Sequence, residues 1–177
     1  MTYRFRKLRA EEIQCRVGTV SEKGVSLLLY KDSRADMEIL DETVGAENWQ
    51  RDHKELKGNM YCGVGIWDEK KGLFVWKWDC GSESNTEAEK GEASDSFKRA
   101  CTNWGIGREL YSSPFIWIPH DKCNITSRGN GKFTTYDKFY VAKLTYLTNG
   151  KIDALAIKNT KTDQIVFCKM PTKKGEE

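Results

Sequence analysis

A change of period constrains this chain more than anything else in it. From Trp49 to Asp79 apolar side chains alternate at period two, and downstream they recur at helical spacing. A mostly polar segment through Leu56, then Met60 to Trp67, then Leu73 to Asp79, reads as three strands of an antiparallel meander, with Asp68 to Gly72 turning the last pair. Met60, Cys62, Val64 and Ile66 alternate with Tyr61, Gly63, Gly65 and Trp67, while Phe74, Trp76 and Trp78 line one face of the next strand. The helix opens at Thr86 and Glu89, a Thr-x-x-Glu capping box. Ala93, Phe97, Ala100, Cys101 and Trp104 then fall within one stripe at about 100° per residue, the face expected to pack on the sheet. Gly105 and Gly107 stop it. Trp76, Trp78 and Trp104 are accordingly expected in the core.

The flanks complete the outline. Leu8, Ile13 and Val17, with Glu11, Glu12 and Arg16 between, predict a short amphipathic helix closed by Gly18. Val25 to Tyr30 reads as a buried strand. Ser33 and Asp36 resemble a capping box, after which Met37, Leu40 and Val44 recur at i, i+3 and i+7 until Gly45. Beyond the helix stop, Pro114 and Pro119 punctuate an extended stretch, and residues 120–132 form a polar loop with Gly129, Asn130 and Gly131 at its tip. Phe139 to Leu147, Ile152 to Lys158 and Ile165 to Cys168 read as further strands, the first two joined at Asn149-Gly150. The expected class is α+β: an antiparallel β-meander packed against a long amphipathic helix, with additional short helices and C-terminal strands. With 177 residues, a single domain over 1–170 and a frayed tail over 171–177 are expected.

Several function classes are disfavoured. The basic N-terminus, Arg4, Arg6, Lys7 and Arg9, leads into Glu11 and Glu12 rather than an apolar run, so neither a signal peptide nor a membrane span is expected. The six cysteines include no Cys-x-x-Cys pair and no Cys/His ligand spacing, so no metal site, no cofactor and a reducing, cytoplasmic setting are expected. The net charge of +3 is unevenly spread. Residues 32–56 carry eight acids against three Lys/Arg; residues 96–108 carry Lys98, Arg99 and Arg108 with no acid; residues 122–151 carry six Lys/Arg against Asp137 alone. Such runs make either a solvated face or a polyanion-binding one. On the best helix, Lys98 and Arg99 point about 100° and 200° round from Phe97, outward from a rigid element.

The string from Thr86 to Tyr111, TEAEKGEASDSFKRACTNWGIGRELY, resembles the signature of the Rad-fifty-two, DdrA and phage Sak superfamily of single-strand annealing proteins, with Asp95-x-x-Lys98-Arg99-Ala100 as the nearest match. Upstream, Glu12-x-x-x-Arg16, then Ser33-Arg34 through Gly45 to Asn48-Trp49, resembles that family's opening helix, strand and second helix. Met60 to Val64 is similar to its first long strand. The resemblance spans roughly residues 8–119, in the family's order. It implies a homo-oligomeric ring or arc whose basic groove holds single-stranded DNA with its bases outward, annealing complementary strands in recombination and double-strand break repair. By motif position it implies Arg16, Lys98 and Arg99 as phosphate contacts, with Arg34 and Arg108 as further DNA-binding candidates. A phage or prophage origin, a bacterial host cytoplasm, and a single-strand-binding protein or exonuclease as partner are further implications. The sequence departs from eukaryotic members one turn past the Lys-Arg pair, where Thr102 or Asn103 replaces an arginine, and a second DNA site is not matched near Asn59.

Backbone neutralisation gives sequence-independent affinity and leaves base edges free to pair, as annealing requires. Passive coating of single strands, without annealing, is the alternative; it more often stacks bases on aromatics. No catalytic constellation is assembled, because His53 and His120 lack partners in the pattern and the capping box explains Glu89. The expectation is a binding protein, not an enzyme.

Overall fold

The computed structural model describes residues 3–81 and 88–172. In chain order the strands are β1 (Ile13–Ser21), β2 (Gly24–Lys31), β3 (Trp49–Leu56), β4 (Asn59–Asp68), β5 (Leu73–Cys80), β6 (Ile116–Pro119), β7 (Thr126–Ser127), β8 (Phe133–Thr134), β9 (Phe139–Tyr146), β10 (Ile152–Asn159) and β11 (Ile165–Lys169). The helices are α1 (Ser33–Val44) and α2 (Ala88–Trp104). The fold is mixed α/β with mostly antiparallel pairing, and the chain divides into two compact units: residues 31–108 with the segment up to Leu8, and residues 9–30 with those from 109 onward.

The first unit is built on the three-stranded sheet β3-β4-β5. Its register pairs Arg51 with Val64 and His53 with Cys62, and on the other side Val64 with Lys77 and Cys62 with Asp79. Period-two alternation puts these residues on the face that α2 covers. Cys62, Val64 and Ile66 are buried there against Phe97, Ala100 and Cys101. Trp104 donates its Nε1–H to the Val64 carbonyl at 2.8 Å, and Glu92 accepts the Met60 N–H at 2.7 Å, so α2 is fastened to β4 at both ends.

The opposite face of the meander holds the other aromatics. Trp78 stands across from Gly63 and Trp76 across from Gly65. A Cβ at either glycine would lie within 2.8 Å of the facing indole, so the rings rest on bare backbone. Trp67, Phe74, Trp76 and Trp78 form a contiguous row, with the two indole centroids 5.7 Å apart. Trp76, Trp78 and Trp104 are half-buried, not core. The core is instead aliphatic around Phe97: the register sets Trp76 and Trp78 over the glycines on the far face, and Trp104 closes the end of α2 against β4.

The second unit is a six-stranded sheet in the order β11-β10-β9-β1-β2-β6, with a short β7-β8 hairpin beside it. Its core draws on Ile13, Val25, Ile116, Ile118, Val141, Leu155, Ile157 and Val166. The three expected C-terminal strands are present within two residues of their sequence limits, and Gly150 takes φ +83° in the turn between the first two.

Two local expectations are corrected. The helix predicted over Leu8 to Val17 is only a 3-10 turn, Ala10–Glu12, followed by β1. Ile13, Cys15 and Val17 point inward while Gln14, Arg16 and Gly18 are exposed, a period of two that a sparse stripe with β-branched residues had concealed. Helix α1 lies where expected, but its N-cap is Asp32, whose carboxylate accepts the Arg34 N–H at 2.8 Å. Asp36, read from sequence as half of a capping box, is buried beside Lys31. The Thr86–Glu89 capping box and the tail from residue 173 lie outside the described residues.

Candidate nucleic-acid interface

Four of the five candidate cations, Arg34, Lys98, Arg99 and Arg108, lie in the first unit, and Arg16 in the second. Phe97, Ala100 and Cys101 lock the inner face of α2, which sets Lys98 half-buried and Arg99 exposed. Arg99 Nε reaches Asp79 Oδ1 at 3.3 Å. Asp79 also accepts from the Cys80 N–H at 2.8 Å and from Asn103 Nδ2 at 3.0 Å. Asn103 thus anchors β5 to α2, donating to the Trp78 carbonyl as well. At the position where the resemblance would place another arginine, this chain spends the residue on its own packing.

Arg108 is similarly engaged. Its Nε and Nη2 donate to the carbonyls of Thr102 and Asn103, each at 2.9 Å, and Lys77 Nζ donates to the same Asn103 carbonyl at 2.8 Å. These cations satisfy the carbonyls that the end of α2 leaves open, where the helix dipole favours positive charge. Arg34 folds back on Asp32 at 2.9 Å with its side chain 83% exposed. That contact holds the Asp32 carboxyl below its ordinary range, first through the Arg34 side-chain hydrogen bond and then through the Arg34 backbone N–H.

A buried group below this surface was missed in the sequence. Lys31 Nζ pairs with Asp36 Oδ1 and donates to the Ile106 carbonyl at 3.0 Å. Burial pushes the Asp36 carboxyl up to about 7, opposed by the ammonium groups of Lys31 and Lys98. Asp36 Oδ2 is enclosed without a hydrogen-bond partner among the described residues. An apolar strand ending in lysine, five residues before an acid in a helix's first turn, was the available signal. Arg51 over the Phe97 ring at 5.2 Å, and Lys54 over Trp78 at 4.5 Å, were hidden in a strand that read as merely polar.

In the second unit Arg16 stands on the exposed face of β1 with its guanidinium 5.6 Å from the Tyr30 ring. No ion pair among the described residues involves it. Three of the thiols are held back by burial, which pushes Cys15 up to about 12 and Cys62 up to about 11, and Cys101 well above its ordinary value. Among the described residues no cluster of His, Cys, Asp or Glu is arranged to hold a metal ion, and no helix is long and apolar enough to cross a membrane.

The molecule is therefore a mixed α/β protein that presents adjacent cations from a helix fastened across an antiparallel sheet. Residues 64–124 match the family model described as Rad52/22 family double-strand break repair protein, and this match supports the Rad52-type superfamily for the chain. The matched segment runs from within β4 through β5 and α2 to Asn124, and contains Lys98, Arg99 and Arg108 but neither Arg16 nor Arg34. No curated protein and no solved structure matches the chain.

Proposed function

We propose that this protein binds single-stranded DNA and anneals complementary strands during recombination and double-strand break repair, as a homo-oligomeric ring or arc and without catalysing bond cleavage or synthesis. The observation that carries the reading is the family match over 64–124, which includes the Lys98-Arg99 pair on α2. Lys98 and Arg99 neutralise phosphates, which favours every sequence alike and leaves base edges available to a second strand. Arg16 and Arg34 extend the contact, and Arg108, which caps α2, positions that helix. A phage or prophage source, a bacterial cytoplasm, and delivery of strands by an exonuclease or a single-strand-binding protein accompany the reading.

Passive coating is the second reading. The half-exposed Trp76-Trp78 pair favours it, since flat indoles on a sheet face suit base stacking. Annealing of two labelled complementary oligonucleotides separates the two. Acceleration by the wild type that Lys98→Ala/Arg99→Ala loses is the expected result; tight strand binding with no acceleration favours coating, and Mg²⁺-dependent shortening of the strands would establish a nuclease instead.

A further inference from the structure

The β7-β8 hairpin and the segment that follows it carry a second concentration of positive charge, beyond the family-matched residues 64–124 except for the approach to the hairpin. Thr126 pairs with Thr134 and Ser127 with Phe133, and the Arg128 N–H donates to the Lys132 carbonyl at 2.8 Å. Arg128 and Lys132 are thus direct cross-strand neighbours at the end of the ribbon. Like charges in that position repel, and nothing on the hairpin offsets them.

Exposed residues continue beyond the hairpin. Lys132, Tyr136, Lys138 and Tyr140 are exposed, whereas Asp137, Phe139 and Val141 turn inward. Arg128 joins Tyr136 to the hairpin by laying its guanidinium 5.6 Å from the Tyr136 ring and donating Nη2–H to its hydroxyl, while Tyr136 remains 73% exposed. The one acid of the stretch, Asp137, is half-buried and turned to neutral partners: it accepts from the Asn124 N–H at 2.8 Å and from Asn159 Nδ2 at 2.9 Å. Asp163, beside Tyr140, is matched by Lys158 at 2.8 Å. No ion pair among the described residues involves Arg128, Lys132 or Lys138. The Gln14–Tyr140 pair sets β1 against β9, and Arg16, two residues further along β1, is exposed as well.

From this geometry we infer that the hairpin face is a single-stranded nucleic-acid contact of its own, in which Arg128, Lys132 and Lys138 take successive phosphates and Tyr136 stacks a base on the ring face that Arg128 leaves open. The inference rests on the single-strand-binding reading above and extends it to the second unit. A cation-lined ribbon with an aromatic backed by arginine suits a flexible strand, whose phosphates and bases reach it together. A duplex keeps its bases stacked internally and offers Tyr136 nothing.

The test is equilibrium binding of a labelled single-stranded oligonucleotide across a salt series, comparing wild type with Arg128→Ala/Lys132→Ala/Lys138→Ala. At about 0.1 M salt the variant should bind on the order of tenfold more weakly, and its salt slope should fall by about 2, near 0.7 for each lost phosphate contact. Tyr136→Ala should weaken binding by about fivefold or more, with Tyr136→Phe restoring it. Thermal melting and light scattering of each variant establish that fold and assembly are retained, and exchange of the three cations for the other basic residue should retain affinity. If the wild type binds single strands and the triple variant binds them equally with an unchanged slope, the inference is overturned while the function stands. Loss confined to duplex binding overturns the single-strand assignment, and a wild type that binds no single strand removes the parent reading as well.

Discussion

The two units use positive charge in opposite ways. Around α2, Arg99 faces Asp79, Arg34 folds onto Asp32, Arg108 and Lys77 cap the helix, and Lys31 is sealed against Asp36. In the second unit Arg16, Arg128, Lys132 and Lys138 meet tyrosine rings or open solvent, and no described acid pairs with them. A sequence motif reports where cations are, but not how much of their field reaches a ligand. On α2 much of the field is spent on placing the helix, so its net attraction for a polyanion is smaller than the acid-free run 96–108 implies; the hairpin cations have no ion-paired acid among the described residues.

The largest effect that would sharpen this contrast is on stability. Lys31→Met leaves the Asp36 carboxyl buried without its cation and should cost about 3–5 kcal/mol. Lys31→Met/Asp36→Leu should recover most of the loss, because two apolar groups replace a pair whose desolvation its attraction barely offsets. Denaturant unfolding of the three proteins decides this, and a single variant as stable as wild type would deny the pair any role in holding α1 to the end of α2.

Strand binding comes next. Lys98→Ala/Arg99→Ala should lower the salt slope of single-strand binding by about 1.4, at 0.7 per contact, and weaken all sequences alike. A loss that depends on base sequence would rule out backbone recognition. Asp79→Asn then works in reverse: it keeps an acceptor for the Cys80 N–H and removes the charge facing Arg99, so affinity should rise by about two- to fivefold, the scale of an exposed pair. An unchanged affinity would mean that Arg99 was not held back by Asp79, and the contrast between the units would lose its main support.

The period-two run and the α2 stripe were legible because each repeats over many residues, and so the meander, the helix and the outward setting of Arg99 follow from the sequence alone. The register decided what it did not. Only pairing of Trp78 with Gly63 and Trp76 with Gly65 turns the indoles from core candidates into a half-exposed row. The segment around Arg16 is ambiguous in sequence because its stripe of Leu8, Ile13 and Val17 is too sparse to fix a period, and one of its two strand neighbours, β9, lies more than a hundred residues away. The family-like string marks Lys98 and Arg99 but says nothing of Asp79 or Asp32, which come from other elements. The hairpin cations were counted as a charge run, yet the turning of Asp137 to Asn124 and Asn159 depends on contacts that no local pattern encodes.

The smallest expected effect isolates one acid of the first unit. Asp32 caps α1 and faces Arg34, and its carboxyl sits below the ordinary range, chiefly through the Arg34 side chain. A carboxyl whose folded value lies below its unfolded one contributes stability above the unfolded value and loses it as pH falls through the folded value. Asp32→Asn preserves the cap, since asparagine accepts the same backbone N–H, but cannot take up that proton. The variant should therefore be slightly less stable than wild type near neutral pH and converge with it as pH falls below about 4, losing less stability along the way. The gap should be small, because the partner guanidinium is open to solvent and salt. Melting curves at stepped pH measure it. A wild type and variant that decline in parallel would show Asp32 to be a cap alone, leaving Arg34 with its charge available to DNA and moving it from the engaged cations to the unengaged ones.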